Sequence, residues 1–451
     1  MDVIIAMVLT FCILVFSILK GIFVGIPLSI GFFIFAYISW KRGFSLKDIL
    51  IMSYTGGKKA FVVLKIFILI GAITAIWMAA GTVPGIVYYG VKFMNPNFFI
   101  LYTFLISCLV SFLLGTSLGT ASTVGIALIV LAKSGNININ IAAGAIIAGA
   151  YFGDRSSPMS SSANLVANLT ETNLYTNIRN MFKTSAIPFI ISIVLYTMIS
   201  FKQPLNFLGS SIDSEIINNF DINWVVLLPS IIIIIFSIFK INVKISMFFS
   251  ILVASIISVS IQEYNLTEIL KYIILGFKLD TSNPLYTIIK GGGIVSMWKA
   301  SLVVFVSCSL AGIFDGTNML KSVENILLKA KTRGDLFSYT TVVSILTGAF
   351  GCNQSIATVL TNQLMTHTYK EKNVDKYKLA IDLENTGIVL SALIPWNMAA
   401  FVPTTTMNVS SFGFIPYAFY LYLIPIINIL SFKILEISHR KFSITSCNSK
   451  Y

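Results

Sequence analysis

The sequence predicts an all-α polytopic membrane protein of about 10 to 12 membrane segments, arranged as two inverted-topology repeats with broken helices or re-entrant hairpins. Three observations carry that prediction. Of the 451 residues, 56% are hydrophobic and only 11% are charged, against about 25% charged in soluble domains. Apolar runs near the ~20 residues that cross a bilayer recur along the whole chain, without β-barrel alternation. Polar stretches rich in Gly, Ser, Thr and acid interrupt several of those runs at related places in the two halves.

Taken in order, the first half places spans at 3–19, 22–40 and 60–90, broken segments at 98–132 and 141–169, and a span at 184–200. The second half places spans at 222–239, 245–262 and 294–318, broken segments at 336–366 and 379–411, and a last span at 412–432. The run Val3–Leu19 lacks a basic leader and a clear cleavage site, so it reads as a retained helix. The resulting organisation is a first repeat over 1–200, an extracytoplasmic connecting loop over 201–221, a second repeat over 222–433 and a cytoplasmic tail over 434–451.

Charge orients these spans. Loop 41–59 holds Lys41, Arg42, Lys47, Lys58 and Lys59 against Asp48, and therefore reads as cytoplasmic. Counting onward puts 91–97 and 133–140 outside, 170–183 inside, and the acidic loop 202–221 outside. Loops 321–335 and 367–378 and the tail with Arg440 and Lys441 return inside, so both termini are expected to be cytoplasmic. The net charge of +13 thus sits in short loops, as membrane topology requires, and nucleic acid is excluded as a partner. The five cysteines are scattered without metal spacing.

The halves resemble each other. "GGKKAFVV…MAAGTVP" runs from Gly56 past Gly81, and "GGGIVSMWK…IFDGTNM" runs from Gly291 past Gly316, 235 residues later at both points. "SFLLGTSLGTAS" from Ser111 is echoed by "SILTGAFGCNQS" from Ser344, a shift of 233 that sets Gly115 against Gly348. Asp154 and Glu384, 230 apart, each open a polar break. Loops assigned outside in one half match loops assigned inside in the other. This is the inverted arrangement found in many secondary transporters.

Non-helical backbone at membrane depth is tolerated only where protein or a water-filled cavity surrounds it. Two of the breaks are small and hydroxyl-rich, Gly115–Gly125 and Gly348–Thr358; two are led by acids, Gly153–Asn164 and Glu384–Asn397. Freed carbonyls, hydroxyls and amides suit a partly dehydrated cation. Asp154 is the leading candidate, because an intramembrane carboxylate is costly and marks a proton or cation site. The alternative is a structural ion pair with Arg155 or an exposed helix end. Ser157, Ser160 and Asn164 would complete coordination, and Thr120, Ser122, Asn353, Gln354, Glu384 and Asn397 would line the other side. Glu384 reads equally as a cytoplasmic helix-end residue, Asp382 as interfacial and Asp315 as an inside-edge cap. The small-residue stretches read also as close helix packing. With no nucleotide loop, metal-ligand cluster or catalytic triad, neither an enzyme nor a resident cofactor is expected.

The stretch "AGAYFGDRSSPMSSSANLVANLTETNLYTNIRNM" resembles the signature of the NhaC-type sodium/proton antiporters. The resemblance continues in "GAITAIWMAAGTVPGIVYYG", "TGAFGCNQSIATVL" and "LAIDLENTGIVLSALIPWNMAAFVP" and spans about 56–430. It implies a multi-pass protein of the bacterial inner membrane, exchanging Na⁺ for H⁺, with Na⁺ at Asp154 as cargo. Relatives that exchange small organic anions such as malate and lactate imply the alternative, a Na⁺- or H⁺-coupled exchanger of organic anions or amino acids. One departure stands out. The family's usual Asp-Thr-Thr-Asn run reads Ser161-Ser162-Ala163-Asn164 here, one carboxylate fewer. The expected partners are the lipid bilayer and the transported ions; a homodimer is compatible with the sequence.

Overall fold

A computed structural model describes residues 2–58, 60–206, 212–239, 241–280, 283–287, 289–317, 319, 330 and 332–447. Helices account for nearly all of it, as the composition requires. The first half runs α1 (Asp2–Leu19), α2 (Gly25–Lys41), α3 (Leu46–Lys58), α4 (Ala60–Ala79), α5 (Thr82–Phe93), α6 (Phe99–Leu114), α7 (Ser117–Ser134), α8 (Ile139–Ser156), α9 (Ser161–Leu169) and α10 (Leu174–Lys202). The second runs α11 (Ile212–Asn219), α12 (Leu228–Ile238), α13 (Val243–Ser260), α14 (Leu266–Leu275), α15 (Trp298–Thr317), α16 (Arg333–Gly351), α17 (Gln354–Glu371), α18 (Lys376–Leu383), α19 (Met398–Thr406) and α20 (Phe419–Cys447).

Among the described residues, five helices are long and apolar enough to cross a bilayer singly, and the pair α4–α5, bent by 63°, has the length and composition of a broken span or a re-entrant loop. Gly81 makes that bend: its φ of +74° is a conformation glycine adopts without a Cβ clash. Large apolar side chains such as Phe33 and Phe239 face outward at 68% and 72% exposure, as lipid solvation allows. Burial then separates the core from the rim. The window of α7 is 83% buried and that of α10 only 28%, so α7 is central and α10 peripheral.

Close backbone approach holds the centre together. Gly149 and Gly153 on α8 face Ser107 and Ser111 of α6, and a Cβ at Gly149 would lie 2.7 Å from that of Ser107. Such a stripe lets two membrane helices meet without side chains between them. Gly56 of α3 likewise packs on Gly312 of α15.

Three sequence expectations change here. The stretch 41–59, expected as a cytoplasmic loop, contains helix α3, whose small residues pack on α15. Residues 263–293, expected as a connection, include α14 and a short antiparallel hairpin pairing Phe277 with Gly291 and Lys278 with Lys290. Asp382 is not interfacial: it is 1% exposed and accepts from Arg333 at 2.7 Å and from the Tyr369 hydroxyl. Residues 207–211 of the connecting loop and most of loop 321–335 lie outside the described residues.

Candidate functional site

Two chain breaks meet at the centre with nearly the same backbone. Helix α6 ends at Gly115 in the left-handed region (φ +66°), and Thr116 is extended (φ −154°, ψ 129°) before α7 starts. Helix α16 ends at Cys352, also left-handed (φ +49°), and Asn353 is extended (φ −142°, ψ 129°) before α17 starts. Both extended residues cap the helix that follows. Thr116 Oγ1 accepts from Gly119 N at 3.4 Å, and Asn353 Oδ1 accepts from Ser355 N at 2.8 Å and Ile356 N at 3.3 Å. Gly115 thus shares its conformation with Cys352, four residues after the Gly348 set against it by the glycine match. A non-glycine residue at positive φ is uncommon and persists where its surroundings dictate it; Cys352 is fully buried.

Between these capped N-termini lies Asp154, in the last turn of α8 and 4% exposed. Its Oδ2 accepts from Gln354 Nε2 at 3.1 Å, from Ser117 Oγ at 3.2 Å and from Ser162 Oγ at 3.4 Å. The Gln354 amide also donates to Ser162 Oγ at 2.9 Å, and the Tyr151 hydroxyl lies 3.0 Å from Gln354 Oε1 and 3.1 Å from the Ala399 carbonyl. A cavity of about 240 Å³ opens beside this cluster, lined among others by Thr116, Asp154, Ser161, Asn353 and Met398. One carboxylate, several hydroxyls and an amide oxygen form an oxygen-rich donor set at two helix N-termini, suited to a hard monovalent cation or a proton.

The expected site residues divide cleanly. Asp154, Asn353 and Gln354 come together at the cavity. Ser157 Oγ instead donates to the Phe112 carbonyl at 2.6 Å, and Ser160 caps α9, accepting from Ser162 N and Ala163 N at 3.1 Å each. Asn164 is exposed and turns back to the Ser160 carbonyl at 2.7 Å. Thr120 and Ser122 bond the backbone one turn earlier, at Thr116 O (2.9 Å) and Leu118 O (2.7 Å). Asn397 caps α19 and donates to the Gly348 carbonyl at 2.7 Å. These six build the breaks rather than the cavity wall. Glu384 is not a cytoplasmic helix end: it is fully buried in a π-helical turn, Glu384–Ile388, outside that wall.

Arg155 does not pair with Asp154. It points the other way, donating to Thr184 Oγ1 at 3.2 Å, to the Met181 carbonyl at 3.3 Å, to Tyr420 at 3.4 Å and to Asn385 Oδ1. Sequence reading missed Ser117, Ser162 and Tyr151. Tyr151 lies three residues before Asp154, one helical turn away, which is a signal periodicity supplies. Ser117 and Ser162 sit in the hydroxyl-rich runs with nothing local to single them out.

A second cavity, of about 270 Å³, lies at the far ends of the same two helices. Its wall includes Lys133 and Val130 of α7, Thr405 and Thr406 of α19, and Lys290. The Asp154 cavity touches the first residues of α7 and α19, and this one touches their last. Between them the helices close, with a Cβ at Gly125 calculated to lie 3.2 Å from Ile146 and 3.3 Å from Met407.

The sequence profile of the Na⁺/H⁺ antiporter family matches residues 149–432, which contain Asp154 and the whole second half of the site. Similar proteins include the malate-2H⁺/Na⁺-lactate antiporter of Bacillus subtilis, 28% identical over 410 residues, which are 88% of this chain and 87% of that one. The Na⁺/H⁺ antiporter NhaC of Alkalihalophilus pseudofirmus is 29% identical over 375 residues, 81% of this chain and 80% of its own. The arginine/ornithine antiporter ArcD of Halobacterium salinarum is 28% identical over 379 residues, 82% and 77% respectively.

Proposed function

The chain belongs to the Na⁺/H⁺ antiporter family, and on that premise we propose that Asp154 exchanges Na⁺ for H⁺ as the cavity beside it opens to each side of the membrane in turn. The observation that carries this reading is the Asp154 cluster itself: one buried carboxylate, no ion pair to it among the described residues, and hydrogen-bond donors from three separate segments. Hydroxyl groups can turn to offer lone pairs to a cation or protons to a carboxylate, so Ser117 and Ser162 serve both loaded states. Gln354 contributes an amide oxygen when Na⁺ is present and an N–H when it is not.

The two cavities at opposite ends of α7 and α19 support alternating access. Positive-inside counting puts Lys133 outside. On that orientation the Asp154 cavity, bordered by the starts of α9 and α17, faces the cytoplasm, and the Gly125, Ile146 and Met407 contact closes the outward path. Rocking of one half against the other would open it. The matched left-handed and extended residues, Gly115-Thr116 and Cys352-Asn353, support an inverted repeat with these breaks at its centre. The setting is a bacterial inner membrane with both termini in the cytoplasm; the cargo comprises ions, and no resident cofactor takes part.

A second reading, a coupled exchanger of small organic ions, is favoured by Ser161. It stands on the cavity wall where the family's usual carboxylate would stand, leaving the wall with one fewer negative charge. Two of the relatives, the malate-2H⁺/Na⁺-lactate and arginine/ornithine antiporters, support the same reading. Purified protein in liposomes with an imposed pH gradient separates the two. Collapse of the gradient on adding Na⁺ supports sodium/proton exchange; collapse only with an organic ion supports the alternative.

A further inference from the structure

Glu384 is a buried acid that exchange at Asp154 leaves unused. It is fully buried, and neither Oε1 nor Oε2 has a hydrogen-bond partner. Arg155 of α8 reaches the residue beside it, donating to Asn385 Oδ1. Arg155 is equally buried and is satisfied by neutral groups alone, the Thr184 and Tyr420 hydroxyls, the Met181 carbonyl and the Asn385 amide, while its Nε has no acceptor. A guanidinium bound to the adjoining residue and a carboxylate buried in the same dry interior would be expected to pair, because each unpaired buried charge is costly. Their failure to do so is explained if Glu384 is neutral here and carries a proton.

The other elements packed on the Glu384 turn leave it no counter-charge. On α18, Asp382 is committed to Arg333 and Tyr369. On α16, Ser344 meets Thr386 at 2.9 Å; α20 brings Tyr420, which takes a bond from Arg155. Among the described residues, no salt bridge reaches Glu384 from any of these elements.

We propose that Glu384 is a second proton-binding site, loaded in this state and discharged when the Arg155 guanidinium swings to pair with it. In that step the O–H bond of the Glu384 carboxyl breaks, the proton passes to water in the opened cavity, and the guanidinium replaces it as counter-charge. Arg155 adjoins Asp154 in the last turn of α8, so occupancy at Asp154 and the position of Arg155 move together. The proposal rests on the Asp154 reading and adds to it one proton per cycle.

The test is the H⁺:Na⁺ coupling ratio of the full-length protein in liposomes, read from the reversal potential of Na⁺ flux. Glu384→Gln is expected to lower the ratio by one proton per Na⁺, with Na⁺/Na⁺ counterflow still measurable. An unchanged ratio overturns the proposal. So does loss of counterflow in folded protein, which would make Glu384 a sodium ligand. Infrared spectra of Asp154→Asn protein give a check that needs no Glu384 variant: the carbonyl band of a buried protonated carboxyl must persist, and its absence overturns the proposal. Asp154→Asn protein that still exchanges Na⁺ for H⁺ would sink the Asp154 reading instead, so the two failures are distinguishable.

Discussion

Gln354, the first residue of α17, donates its amide to Asp154 Oδ2 at 3.1 Å across 200 residues of sequence. That bond ties the two halves of the chain at the point where both are broken, and it shares its amide group with Ser162 at 2.9 Å.

Gln354→Ala is expected to raise the half-saturating Na⁺ concentration about 10-fold or more, since it removes the amide oxygen offered to the bound cation, a contact with a charged group worth about 1.5–3 kcal/mol. Isothermal titration of Na⁺ into purified protein measures it. Unchanged affinity would mean that the tie is structural only.

Ser161→Asp returns a second carboxylate to the cavity wall. Coulomb attraction in a partly solvated site is worth about 1–4 kcal/mol at contact, so half-saturating Na⁺ should fall about 5-fold or more. Lower affinity in the variant would point to a wall built for an anion.

Arg333 is bound to Asp382 at 2.6 Å, with side-chain exposures of 24% and 2%. Arg333→Ala leaves a buried carboxylate uncompensated, which costs about 3–5 kcal/mol. A clear fall in Tm in detergent is expected, with a smaller fall for Asp382→Asn, whose amide keeps hydrogen bonds. Equal Tm values for wild type and Arg333→Ala would rule out a stabilising role for the pair.

Gly149 has 2.7 Å between its would-be Cβ and that of Ser107. Gly149→Leu must push α6 and α8 apart, costing about 1–3 kcal/mol or more. Size-exclusion profile and Tm should both deteriorate, whereas Ser107→Ala should be tolerated.

Much of this was legible from residue type. Asp154 announced itself as an acid between apolar runs, and Gln354 as an amide in one. Gly115 marked its own break because glycine is the usual residue at positive φ. The matching turn at Cys352 was hidden because it adopts that conformation without the glycine signal, and the nearby Gly348 drew the comparison four residues off. Asp382 was misread because its partner, Arg333, lies 49 residues away. Helix α3 was missed because its charges and glycines resemble a loop until α15 is packed against them. The serines of both polar runs could not be sorted by sequence: the same hydroxyl that lines the cavity at Ser162 caps a helix at Ser160, and only the backbone direction separates them.

The most direct test of the central claim is Asp154→Asn in proteoliposomes with a trapped pH-sensitive dye, beside wild-type protein of equal folded yield. The account predicts Na⁺-driven proton movement in the wild type and none above empty liposomes in the variant. Na⁺/H⁺ exchange persisting in Asp154→Asn would contradict it.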